Sequence, residues 1–145
     1  MQASLTTTPS SRPFRHKTVA GVLSFLLGWA GVHWWYLGRP RAWLPLAFTL
    51  LILIVAALRP TPFYSQLWYY LILIPLVAGF VEALVLTLMS DARFDAKYNP
   101  GQTRQSKNRW GAVLIAMVAL FIGMAILMGH VVVASLEMVA GTLGF

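Results

Sequence analysis

Cysteine is absent from this 145-residue sequence, and Asp and Glu together number only four. Without cysteine there is no disulfide framework, no thiolate metal site and no cysteine nucleophile. Charge of either sign is scarce as well, at 10% of residues against the roughly 25% with which soluble domains cover their surfaces. With 59% hydrophobic residues and a mean hydropathy of +0.72, an ordinary water-soluble fold is excluded. Disorder, which needs low hydrophobicity and high charge, is excluded by the same figures. A glycine-rich phosphate loop, a His-Glu-x-x-His zinc pattern and a serine elbow are also missing, so no enzyme, cofactor or metal is expected.

What the chain has instead is long apolar runs. Thr18 to Leu37 contains no Asp, Glu, Lys or Arg, and about 20 such residues at roughly 1.5 Å each match a hydrocarbon layer of roughly 30 Å. Gly38, Arg39, Pro40 and Arg41 then form a short turn. A second run covers 42–58 and ends at Arg59, Pro60, Thr61 and Pro62, where two prolines halt a helix. A third covers 66–89, with a kink expected at Pro75. A fourth, 110–136, exceeds one span and should tilt or break near Gly129. The fold expected is an all-α integral membrane protein with four transmembrane helices arranged as two antiparallel hairpins. A mobile polar tail occupies 1–17, one hairpin 18–58, and the second 59–145, with a cytoplasmic loop at 90–109.

The net charge of +7 falls almost entirely between the runs. It is assigned to anionic headgroups and not to nucleic acid. Arg39, Arg41, Arg93, Lys97, Arg104, Lys107 and Arg109 lie in loops one and three, against Arg12, Arg15, Lys17 and Arg59 on the other side. That bias predicts both termini outside and contact of Arg104, Lys107 and Arg109 with lipid. Trp34, Trp35, Tyr36, Trp43, Phe63, Tyr64, Trp68 to Tyr70 and Trp110 mark the run borders, as interfacial aromatic belts do.

At the end of the first run, Gly28, Gly31, His33, Trp35, Tyr36 and Gly38 follow the order G-x-x-G-x-H-x-aromatic-Y-x-G. Over about residues 15–60 this resembles the TM-two domain family, small membrane proteins built on two helices joined by a short turn. The resemblance implies a multi-pass membrane protein without established catalysis. Two departures are visible: Trp34 and Trp35 stand where members usually carry a basic residue and phenylalanine, and the Asp-Arg-Phe triplet of eukaryotic relatives is absent. A receptor-like coupling role is therefore not carried over. Gly28 and Gly31 lie three apart, and Gly21 and Gly28 two turns apart, so their bare backbone predicts close helix approach, within the chain before between copies.

Glu82 is the one acid well inside a run. An acid there opposes insertion by roughly 2.5–3.5 kcal/mol, which flanking Leu, Ile, Phe and Val outweigh, and it should face protein or water. Four spans would set His33 and Glu82 at similar depth, where they can pair as a polar clasp or as part of a proton or cation step. Asp91, Asp95 and Asn99 recur every four residues, read as surface ion pairs before an Mg²⁺ site. Residues 91–98 alternate charged and apolar side chains, as a segment lying on the membrane surface would. His130 and Glu137 read as interfacial. The function expected is a non-enzymatic interaction or assembly module in a cell membrane, the bacterial inner membrane being the expected setting, with lipids, other membrane proteins or itself as partners. The alternative is a subunit of a small channel or transporter using Glu82 and His33.

Overall fold

A computed structural model describes residues 13–58, 70–107 and 110–143, and the described residues form helices joined by turns. Helix α1 is Lys17–Leu27, followed by a 3₁₀ turn over Gly28–Ala30 and helix α2, Val32–Leu37. Helix α3 is Leu44–Ala57, α4 is Leu73–Leu88, α5 is Asp91–Tyr98 and α6 is Trp110–Leu143.

The first apolar run is not one straight helix. Gly31 takes φ +69°, a left-handed conformation open to glycine, and there the chain reverses. Ala20 and Leu37 meet in one core cluster with Leu86, Phe94 and Tyr98. In a continuous helix 17 residues would part them by about 25 Å. The Tyr36 hydroxyl instead accepts a hydrogen bond of 2.8 Å from the His16 amide. Residues 17–37 are thus a short hairpin whose two ends lie together, where a single crossing was expected. Gly38, at φ +65°, closes α2 through its amide to the carbonyls of Trp34 and Trp35.

From the turn, α3 begins with Pro45 in its first turn, where the missing N–H removes no helical bond. Pro45 packs on Gly31, whose hydrogen-sized side chain is required: a Cβ would stand 2.8 Å from the proline ring. Thr49 donates 2.8 Å to the Trp29 carbonyl, fixing α3 to the hairpin tip. The disturbance expected at Pro75 appears as a break at Ile72, because the proline ring clashes with the carbonyl four residues earlier; Pro75 itself lies in the first turn of α4.

Helix α1 runs antiparallel to α4. At one end Lys17 reaches Met89 and Asp91, in the middle Gly21 faces Thr87, and at the other end Gly28 meets Gly79. The last contact is backbone on backbone: a Cβ on Gly28 would lie 2.5 Å from Gly79 Cα. The side chain of Ser24 donates 3.0 Å to the Gly79 carbonyl at the same place. Helix α6 packs through Ala112, Ala116 and Ala119, a one-sided small-residue stripe at helical spacing. It continues unbroken through Gly129 for 34 residues, about 50 Å. Of the described helices, it alone is long and apolar enough to cross a membrane by itself. Helices α4 and α5 reach that length only as a pair bent by 112° at Met89 and Ser90. The chain is therefore all-helical over the described residues with one clear crossing helix, and the four-crossing count expected from the apolar runs is not established by helix length.

Most of the outward surface is apolar, with Leu51, Leu58, Leu88, Phe121 and Met138 each at least 60% exposed. The described polar clusters gather where α1 begins, α2 ends, α4 ends and α5 lies across.

A polar clasp as the candidate functional site

Glu82 sits on α4, one turn beyond the Gly28–Gly79 contact, and faces α2. Its Oε2 accepts hydrogen bonds from His33 Nε2 and, at 2.7 Å, from Trp34 Nε1. Its Oε1 accepts from Arg39 Nη1 at 2.6 Å. The His33 side chain is 2% exposed, and Nδ1 is buried without a hydrogen-bond partner.

Arg39 ties the clasp to α5. Its Nη2 donates 2.9 Å to the Tyr98 hydroxyl, and its guanidinium lies 5.3 Å from the centre of the Trp34 ring. Burial works against its charge, but the hydrogen bonds to Tyr98 and Glu82 outweigh this and hold its pKa above the ordinary value. The carboxylate and guanidinium neutralise one another, and three donors occupy the two oxygens, so the group is built to hold three elements together.

A second layer lies outward of the clasp. Lys17, 5% exposed, bonds the Met89 carbonyl and pairs with Asp91 at 2.9 Å. Asn99 accepts 2.9 Å from the Arg15 amide and returns 3.0 Å to the Arg15 carbonyl, a strand-like exchange that pins the segment before α1 to the end of α5. Asp95 accepts from Asn99 at 2.8 Å and from the amide and hydroxyl of Ser106 at 2.6 Å each. Slight burial works against the Asp95 charge, yet the bonds from Ser106 and Asn99 prevail and its pKa lies below the ordinary carboxylate value.

The sequence candidates divide accordingly. His33 and Glu82 are in contact, and Tyr36 and Gly38 close the hairpin mouth. Trp35 is 53% exposed and stands outside the clasp. Gly28 packs against α4, whereas Gly31 forms the reversal and shares no helical face with it. Arg104 and Lys107 are exposed in the loop after α5, while Arg109 lies outside the described residues. The segments 59–69 and 1–12, with Arg12, Arg59, Phe63, Tyr64, Trp68 and Tyr69, lie outside them too. Asp91, Asp95 and Asn99 bond to Lys17, Ser106 and Arg15, and no group of three His, Asp or Glu placed to hold a metal occurs among the described residues. His130 Nδ1 lies 2.8 Å from the Ile126 carbonyl within α6. Trp34 and Arg39 were not singled out by sequence as partners of Glu82. The available signal was stoichiometric: an ionised carboxylate in an apolar run needs a countercharge, and Arg39 closely follows the first run, the one that holds His33.

Residues 13–59 match the family model of the TM2 domain. The match takes in the hairpin, the turn with Arg39 and all of α3, and leaves Glu82 and α5 outside. No curated protein and no solved structure matches the chain. The TM2 domain and the long apolar α6 make this a membrane protein.

Proposed function

We propose that the chain is a non-enzymatic, multi-pass membrane protein acting as an interaction or assembly module for lipids or other membrane proteins, in a bacterial inner membrane. The observation that carries this reading is the occupancy of Glu82. The acid most able to serve chemistry or conduction is held by His33, Trp34 and Arg39, and all three donors come from the matched TM2 stretch while Glu82 lies outside it. The domain thereby docks onto the rest of the chain through charge, and the wide apolar exterior is left for lipid and protein neighbours.

The same contacts support a topology of three crossings, α3, α4 and α6, with residues 17–37 as a re-entrant hairpin. Arg15, Lys17, Arg39, Arg41, Arg93, Lys97, Arg104 and Lys107 then share one face, most of the eleven Lys and Arg in the sequence. That asymmetry favours the cytoplasm for this face more strongly than four crossings would.

A channel or transporter subunit is the second reading, and the unpartnered His33 Nδ1 favours it. Purified protein in liposomes separates the two. The assembly reading predicts no proton or cation flux above that of empty vesicles, and the same baseline for Glu82→Gln. Flux abolished by Glu82→Gln would establish the channel instead.

A further inference from the structure

Between the segment leading into α1 and the loop after α5 lies a cavity of about 660 Å³ that no part of the clasp uses. Phe14, His16 and Thr18 form one wall, and Arg104, Ser106 and Lys107 line the other. Its charge is of one sign, because the nearby carboxylates are already engaged: Asp91 with Lys17, and Asp95 with Ser106 and Asn99. Neither Arg104 nor Lys107 makes a salt bridge among the described residues.

Arg104 is also positioned. Its guanidinium carbon stands 4.9 Å over the Phe14 ring, and His16 packs edge-on against the same ring at 5.1 Å. Stacking restrains the guanidinium plane while leaving its N–H fork free for a ligand. A planar fork beside a mobile ammonium suits the oxygens of a phosphate. Depth narrows the source. The cavity includes Thr18 in the first turn of α1, and Trp110, 82% exposed, opens α6 at a level near Thr18, as an interfacial anchor would. The first turn of α1 has no side-chain cap, so its amide groups add donors on that wall.

From this we infer that the cavity is a binding site for a phosphate group, with the headgroup of an anionic phospholipid as its source. The inference deepens the lipid-binding side of the assembly reading and rests on it. The full-length protein in detergent is loaded with phosphatidylglycerol or phosphatidylcholine, and lipid retention is measured by native mass spectrometry. The wild type retains phosphatidylglycerol preferentially. The double variant Arg104→Ala, Lys107→Ala weakens that retention by about thirty-fold, the product of two basic contacts at a membrane surface, and leaves phosphatidylcholine unchanged. Phe14→Leu weakens it less, by unseating the guanidinium. A control pair on α5, Arg93→Ala with Lys97→Ala, removes equal charge away from the cavity and leaves retention intact. Equal losses in both double variants, or no preference in the wild type, would overturn the site. Inorganic phosphate is the third arm: retention that survives excess phosphate assigns the site to the headgroup. If phosphate alone displaces the lipid and stabilises only proteins that keep Arg104, the phosphate site stands and the lipid source is overturned. Liposome flux is measured independently, so failure of this site leaves the assembly reading to its own test.

Discussion

At the residue scale, the Gly28–Gly79 contact and the Glu82 clasp bear unequal loads. Ser24 adds one hydrogen bond beside the glycines, and such bonds between membrane helices average only about 0.6 kcal/mol. A Cβ at Gly28 instead stands 2.5 Å from Gly79 Cα and forces two backbones apart, an overpacking effect of about 1–3 kcal/mol. Gly28→Ala should therefore lower the thermal midpoint in detergent clearly more than Ser24→Ala does. A smaller shift for the glycine variant would mean that the helices can slide apart freely. For the clasp, His33→Ala and Glu82→Ala should each destabilise, and the double variant should lose less than the sum, with a coupling in the 0.5–3 kcal/mol range typical of contacting residues. Strict additivity would deny them a shared interaction. Arg39→Ala should be as damaging as Glu82→Ala, because it strands the carboxylate among uncharged donors.

At the element scale, α5 and its following loop are held by titratable chemistry outside the apolar layer. The folded pKa of Asp95 is depressed, so its contribution is fully present above the unfolded value of about 3.9 and is lost as pH falls through the lower folded value. Protease nicking of the 100–107 loop should thus rise in acid below about pH 4, and Asp95→Asn should show the raised rate already at neutral pH. A pH-independent rate in the wild type would remove Asp95 from that role. Helical class and the ends of α3 near 58 and of α4 near 89 were legible, because charge and apolar length report them directly. The reversal at Gly31 was not. Twenty apolar residues satisfy one crossing and a buried hairpin equally well, since both remove the same side chains from water. The informative mark was the glycine at 31, read as a packing face when its value lay in a positive φ. Arg39 was obscured in a similar way: a loop arginine counted toward orientation gives no sign that it bends back to Glu82 and Tyr98.

For the whole molecule, the decisive question is which segments share a side. In a four-crossing chain the segment before α1 and the 90–107 loop lie on opposite faces, whereas the Arg15–Asn99 exchange and the Lys17–Asp91 pair hold them side by side. These bonds cannot form through a bilayer, and on the Arg15 side the bonded groups are backbone. The sequence has no cysteine, so single introduced thiols report their own location without background. Pro13→Cys and Ala96→Cys, both exposed, should react with an impermeant reagent from the same face, and Leu58→Cys, 77% exposed at the end of α3, from the other. Intact cells should protect the first pair and label the third, because the basic residues favour the cytoplasm for their face. Labelling of Pro13→Cys and Leu58→Cys from one side, with Ala96→Cys on the other, would turn residues 17–37 into a crossing and dismantle the hairpin. Labelling of all three from outside would leave α3 and α4 without a traverse. Same-side labelling of positions 13 and 96 with the reverse orientation would retain the hairpin and overturn only the assignment of its basic face to the cytoplasm.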